Sequence, residues 1–257
     1  MPQNNSYQIF NQNYNSKFLL LCDHATNTIP SCISKTKLCL TPKELNSHIA
    51  FDPGAKDTTL KLSHILRSPM IATQFLRLVI DPNRSSDDPT SIMQIYDGSI
   101  IPENIGLSEK QITMRKKKFY QPYHNKISQM LDNKILFGSF ICIVSIHSFT
   151  PQLKFKDLRP WEIGILWDED TRMSEPLIKE LEKHKNICIG KNKPYSGSLQ
   201  GDTLNKHGTR NKIPHVLIEI RNDLINSSIG QDKWALILAN ALKSVVKKIE
   251  PKRILKL

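Results

Sequence analysis

Apolar runs alternate along this chain with stretches of helical spacing, the pattern expected of βαβ units. Phe18-Leu19-Leu20-Leu21-Cys22 is continuously apolar, as a strand covered on both faces should be. Thr41-Pro42-Lys43-Glu44 then carries the chemistry of a helix start: Thr41 caps, Pro42 suits the first turn, and Glu44 closes a capping box. Pro53-Gly54 cuts that helix short, and a second is predicted over residues 55–67 with Leu60, Ile65 and Leu66 facing inward. Residues 70–73 and 75–80 read as strands, the latter ending in the turn-like Asp81-Pro82-Asn83-Arg84. Beyond a polar loop at 85–106, a long helix is predicted from Ser108, with Ile112, Tyr120, Tyr123, Ile127 and Leu131 at helical spacing and a kink at Pro122. Residues 140–146 form the strongest strand signal, and 163–167, 187–189 and 216–220 give three more. Trp234, Ile237, Leu238, Ala241, Val245 and Ile249 share one face of a closing helix. The pattern predicts one α/β domain over residues 1–257, with 1–16 as a polar N-terminal arm.

Composition narrows this picture only slightly. A chain of 257 residues, 39% hydrophobic and 23% charged, can bury a core without help from disulfides or a structural metal. It has no run of eighteen apolar residues, so no membrane span is expected. The polar start lacks a basic region before an apolar stretch, and 18–22 is too short for a signal-peptide core, so the expected compartment is the cytoplasm. Five cysteines occur without a C-x-x-C pair; Cys22, Cys142 and Cys188 lie in apolar runs and read as buried thiols. The net charge of +12 comes from 36 Lys+Arg against 24 Asp+Glu. Its lysines are scattered, without interleaved aromatics, so a solvated basic surface is favoured over a nucleic-acid site. The same field would attract a small anionic substrate. Nothing in the pattern decides for or against a homo-oligomer.

Chemistry collects where the predicted strands end, which is where open parallel sheets bind ligands. Asp23, His24 and Asn27 follow the first strand, and Asp81, Asn83 and Arg84 follow the 75–80 run. His147 and Ser148 follow the central strand, while Glu219, Arg221 and Asp223 sit on or just after the last one. His24 and His147 suit a catalytic divalent metal, zinc above all, which takes three protein ligands and leaves a place for water. Glu219 lies between Ile218 and Ile220, where an unpaired carboxylate is costly; it either pairs with an arginine or serves as general base. Ser148 beside His147 lacks the G-x-S-x-G elbow of a serine nucleophile. No dinucleotide or P-loop signature is present either.

Several segments, in order, resemble the N-formylglutamate amidohydrolase family. They are Cys22-Asp23-His24-Ala25-Thr26-Asn27, His48 to Ala55, Arg77 to Arg84, Asp97 to Asn104 and Pro122-Tyr123-His124. The most specific are Ser145 to Pro151 with Arg159-Pro160-Trp161, and Ile218 to Ile225. The resemblance implies a three-layer α/β fold like that of zinc exopeptidases and cell-wall amidases, with a mostly parallel sheet and helices on both faces. It implies His24, Asp52 and His147 as metal ligands and Glu219 as base. Asp52 could instead cap a helix, and Asp23 and Asp81 compete as third ligand. The implied reaction releases formate and glutamate from N-formyl-L-glutamate. Arg84, Arg159 and Arg221 are candidates to meet the oxyanion or grip substrate carboxylates, or else to pair with Asp81, Asp157 or Asp223. Asn27, His48, Asn83, Ser148 and His207 complete the candidate substrate contacts. Two departures stand out: Lys193 replaces an expected acidic residue before Pro194-Tyr195, and Asn211-Lys212 replaces a glycine-containing turn. A related amidase acting on another acylated amino acid or a peptidoglycan fragment is the enzyme alternative; a non-catalytic binder of anions or nucleic acid is the other.

Overall fold

The apolar runs at 18–22 and 140–146 become the neighbouring central strands of a seven-stranded sheet. The protein is described here from a computed structural model, over residues 6–136 and 138–251. Its elements, in chain order, are β1 (Tyr7–Phe10), β2 (Phe18–Cys22), α1 (Pro42–Leu45), α2 (Ala55–Leu66) and β3 (Met70–Thr73). A small hairpin of β4 (Ile95–Tyr96) and β5 (Ser99–Ile100) precedes α3 (Glu109–Arg115), α4 (Gln121–Leu136) and β6 (Cys142–Phe149). The chain ends through β7 (Ile163–Leu166), α5 (Ser174–Leu181), β8 (Ile189–Lys191), α6 (Thr203–His207), β9 (His215–Arg221) and α7 (Ser228–Ile249).

The large sheet has the order β1-β3-β2-β6-β9-β7-β8. Its centre, β3-β2-β6-β9, is parallel, whereas β1 and the β7–β8 pair run against it. Alternation within each strand sorts side chains to two faces. Leu20, Val144, Ile218 and Ile220 pack with α2, α5 and α7 on one side. Leu19, Leu21, Ile143 and Leu217 pack with α4 and α6 on the other. The architecture is therefore a three-layer α/β fold with a mostly parallel sheet. Among the described residues no helix is long and apolar enough to cross a membrane.

Local signals explain most element ends. Thr41 and Glu44 form the expected capping box, and α7 carries the expected buried face through Trp234, Leu238, Ala241 and Val245. The kink expected at Pro122 is a π-helical turn over Lys116–Tyr120 that joins α3 to α4.

Other expectations need correction. Residues 75–80 are not a strand. They form a buried turn whose Phe75, Leu76, Leu78 and Val79 pack with Ile92, Ile101 and Phe119 in a separate small core. A short apolar run looks the same whether it is buried as strand or as turn. Within the polar arm, residues 7–10 pair with β3 as an edge strand, while 1–5 lie outside the described residues. β6 continues to Phe149, so His147 and Ser148 sit within the strand rather than after it. Cys22 and Cys142 are buried as expected, but Cys188 is exposed.

Candidate active site

His24 leaves the carboxyl end of β2 beside β6, on which His147 faces the same side of the sheet. Their rings lie 4.8 Å apart, edge to face. Asp52 reaches them from the connection before α2, where its backbone N–H donates to the His24 carbonyl at 3.0 Å. Gly54, at φ +78°, begins α2 after Asp52 and supplies no side-chain cap; the Asp52 carboxylate is left for the histidines. Its Oδ2 lies 2.8 Å from His147 Nδ1 and 3.3 Å from His24 Nδ1, and accepts from the Ser148 N–H at 3.2 Å. One ligand-type atom from each of His24, Asp52 and His147 lies within 4.8 Å of the other two.

The competing aspartates stand one step further back. His24 Nε2 meets Asp81 Oδ1 at 2.7 Å, and His147 Nε2 meets Asp23 Oδ2 at 3.1 Å. Each imidazole thus has one nitrogen on a private carboxylate and the other on the shared Asp52. Burial opposes charge on Asp23, yet hydrogen bonds from His147 and Tyr123 and the nearby imidazoles bring its carboxyl down to about 2. Burial also opposes ionisation of Asp81, and Arg77 and His24 outweigh it. His147 is held well above the usual imidazole range because Asp23 and Asp52 overcome its burial.

Glu219 adjoins this cluster as the register partner of His147 on β9. It is buried, and its Oε2 has no hydrogen-bond partner. Burial pushes its carboxyl up to about 7, against the pull of His147. A buried carboxyl that titrates near neutrality with a bare oxygen is suited to moving a proton.

A cleft of about 320 Å³ opens over these groups, a size suited to a small molecule. His48, Asn83, Arg84 and Ser148 line it together with His24, Asp52, His147 and Glu219. His48 is steadied by Asp97 at 3.0 Å, and Asn83 Oδ1 accepts from the Thr203 N–H at 3.2 Å. Ser148 Oγ donates to the Pro53 carbonyl at 2.8 Å; it bonds no base that could activate it as a nucleophile.

Four expected contacts are not brought to the cleft. Asn27 is turned to Leu45 and Asn46, and His207 is stacked on His124, 2.9 Å between ring nitrogens. Arg221 is bound to Asp223 at 2.8 Å. Arg159 is turned to the Thr150 carbonyl and the Tyr195 hydroxyl, to both of which it donates.

The cleft also holds residues that no sequence pattern singles out. Arg77 enters from the 75–80 turn, donates to Asp81 at 2.7 Å, lies over the Tyr96 ring, and has an unpartnered Nε. Tyr96, Tyr195 and Asp202 also line the cleft. Arg77 lies within a segment of family resemblance, and the strand-like composition of 75–80 hides where it points.

Comparison with known proteins agrees with this geometry. The family model for N-formylglutamate amidohydrolase matches residues 16–226. A gene product of Agrobacterium tumefaciens has a similar structure, 32% identical, with a TM-score of 0.91, over 96% of this chain and 97% of that one. The N-formylglutamate amidohydrolase of Ralstonia eutropha, 18% identical with a TM-score of 0.69, shares the fold over 95% of this chain and 98% of that one. No curated protein matches. With an imidazole–carboxylate cluster, a bare buried carboxyl and a family match across most of its length, the chain belongs to the N-formylglutamate amidohydrolase family, whose chemistry is amide hydrolysis.

Proposed function

We propose that the protein is a metal-dependent hydrolase of a small anionic N-acyl amino acid, with N-formyl-L-glutamate as the first substrate to test and formate and L-glutamate as products. The observation that carries this reading is the unpartnered Oε2 of Glu219 beside the His24–Asp52–His147 cluster.

The donor set suits a divalent ion such as zinc. With a metal bound, each imidazole would keep its Nε2–H on Asp81 or Asp23 and would turn to the ion the Nδ1 that otherwise contacts Asp52. Three ligand-type atoms converge there in a buried space, and two imidazoles with one carboxylate are a common zinc set. When bound, such an ion polarises an acyl oxygen and lowers the pKa of a water.

The chain's own groups account for the rest. Glu219 takes the proton from the attacking water, whose oxygen adds to the acyl carbon. As the C–N bond breaks, Glu219 returns that proton to the leaving amine. Arg77, which lines the cleft, supplies positive charge to the oxyanion side. Arg84, which lines the cleft and forms no ion pair among the described residues, holds a substrate carboxylate.

Metal analysis of purified protein, followed by a formate-release assay, tests the proposal. Zinc near one per chain and chelator-sensitive release of formate are expected, and His147→Ala should lose both. Metal-free protein that hydrolyses no N-acyl amino acid would overturn the reading.

A further inference from the structure

The row of side chains that carries His147 and Glu219 continues across the sheet into two glycines. His147 is the register partner of Glu219, Glu219 of Gly164 on β7, and Gly164 of Gly190 on β8. Directly opposed residues in neighbouring strands face the same side. The face that presents an imidazole and a carboxylate therefore presents bare backbone on the next two strands.

That space is occupied by another part of the chain. A Cβ at Gly164 would stand 2.1 Å from the Lys193 carbonyl oxygen and 3.3 Å from Glu219 Cβ. One at Gly190 would stand 2.7 Å from the same oxygen and 3.0 Å from Trp161. The two glycines form a trough in which the backbone at Lys193 rests. Two residues on, Tyr195 lines the cleft. Its hydroxyl accepts from Arg159 at 3.2 Å, and the guanidinium lies 5.0 Å from its ring centre. Asn192 Oδ1 fastens the loop again, accepting from the Trp167 N–H at 2.9 Å and the Gly197 N–H at 3.2 Å.

We infer that Gly164 and Gly190 are specificity-determining positions: by seating the Lys193 carbonyl they fix where the Tyr195 wall stands, and with it the width of the cleft that holds the substrate. The inference rests on the reading of this cleft as an amide-hydrolase site. A side chain at Gly190 lifts the wall without touching His24, Asp52, His147 or Glu219. Binding and acyl selection should therefore change while the metal site and the proton transfer do not.

The test compares Gly190→Ala, Gly164→Ala and Tyr195→Ala with the wild type, measuring zinc content and steady-state kinetics on N-formyl- and N-acetyl-L-glutamate. In Gly190→Ala zinc should be retained and kcat nearly so, and Tyr195→Ala should retain zinc. KM should rise roughly ten- to a hundredfold, the scale expected when a wall shifts by about an ångström, and the preference between formyl and acetyl should fall. Gly164→Ala should show the same rise in KM with some loss of kcat, because it also crowds Glu219. Unchanged KM and unchanged preference in folded Gly190→Ala overturn the inference; if the glycine variants do not fold, the same result in Tyr195→Ala overturns it. A wild type without turnover overturns the functional reading instead. The seating of the wall is then read from hydrogen exchange at the Trp167 and Gly197 amides, which Gly190→Ala should accelerate; unchanged exchange overturns it too.

Discussion

Asp23 Oδ2 accepts from His147 Nε2 at 3.1 Å, although Asp23's neighbour in sequence, His24, is held by Asp81 instead. The crossing ties β2 to β6 at the point where the two imidazoles meet. Asp23 also accepts from Ser145 at 2.8 Å, Tyr123 at 2.8 Å and Thr203 at 3.1 Å, so its lone pairs are fully engaged. Such a carboxylate fixes which imidazole nitrogen carries the proton and leaves Nδ1 for a metal. Asp23→Asn, which turns an N–H₂ toward donors, is expected to weaken zinc binding by about ten- to a hundredfold. Chelator-competition titration measures this, and an affinity equal to wild type would remove Asp23 from that role.

Glu219 is separable from the metal cluster, because no side-chain hydrogen bond joins it to His24, Asp52 or His147. Glu219→Gln keeps the shape and removes the proton acceptor. Zinc content should stay at the wild-type level while kcat falls by roughly a hundred- to ten-thousandfold, the usual contribution of a general base. Single-turnover kinetics on the zinc-loaded variant are the check, and retained chemistry would exclude Glu219 as the base.

Much of this site was legible because its residues lie on elements whose patterns are strong. The apolar run of β2 puts His24 at a strand end, and the still longer run of β6 puts His147 on its neighbour. Less could be read where burial comes from loops. Residues 75–80 have the composition of a strand but pack as a turn against Ile92 and Phe119, so Arg77 was lost among apparent strand residues. β1 was masked by surrounding Asn and Gln, since an edge strand needs only a few half-buried positions. Arg221 and His207 could not be resolved by sequence position: Asp223, two residues on, captures the first, and His124, 83 residues away, captures the second. The departures from the family pattern also take on physical meaning. Lys212 adopts φ +55° without being glycine, and at Lys193 it is the carbonyl, not the side chain, that the sheet receives.

Arg84 and Arg77 share the cleft but should affect different kinetic constants. Arg84 has its carbonyl held by the Tyr120 hydroxyl at 2.7 Å and no ion pair among the described residues, so its guanidinium is available to substrate. Loss of a charged hydrogen bond costs about 1.5–3 kcal/mol, and Arg84→Ala should raise KM by roughly ten- to a hundredfold with kcat largely kept. Arg77 is locked to Asp81 and stacked on Tyr96. Arg77→Lys keeps a charge but loses the planar fork, and should lower kcat by about a hundredfold or more. Separate kcat and KM values decide both, and the reverse assignment would exchange the two roles.

Asp202 offers a test through stability alone. It caps α6, accepting from the Asn205 N–H at 2.7 Å, lines the cleft, and has no ion pair among the described residues. Burial raises its carboxyl to about 7; the cap bond opposes this and Asp23 adds to it. In the unfolded chain an aspartate releases its proton near 4. Between about pH 4 and 7 the folded state therefore holds a proton that the unfolded state has lost, and stability falls as pH rises. Above about 7 the full cost of the buried charge is present. Asp202→Asn keeps a good cap and cannot ionise. Its melting temperature should exceed that of the wild type by several degrees near pH 8, with the difference shrinking as pH falls toward 4. Thermal unfolding of both metal-free proteins across that range is the measurement, and a difference that does not depend on pH would show that Asp202 carries no buried charge.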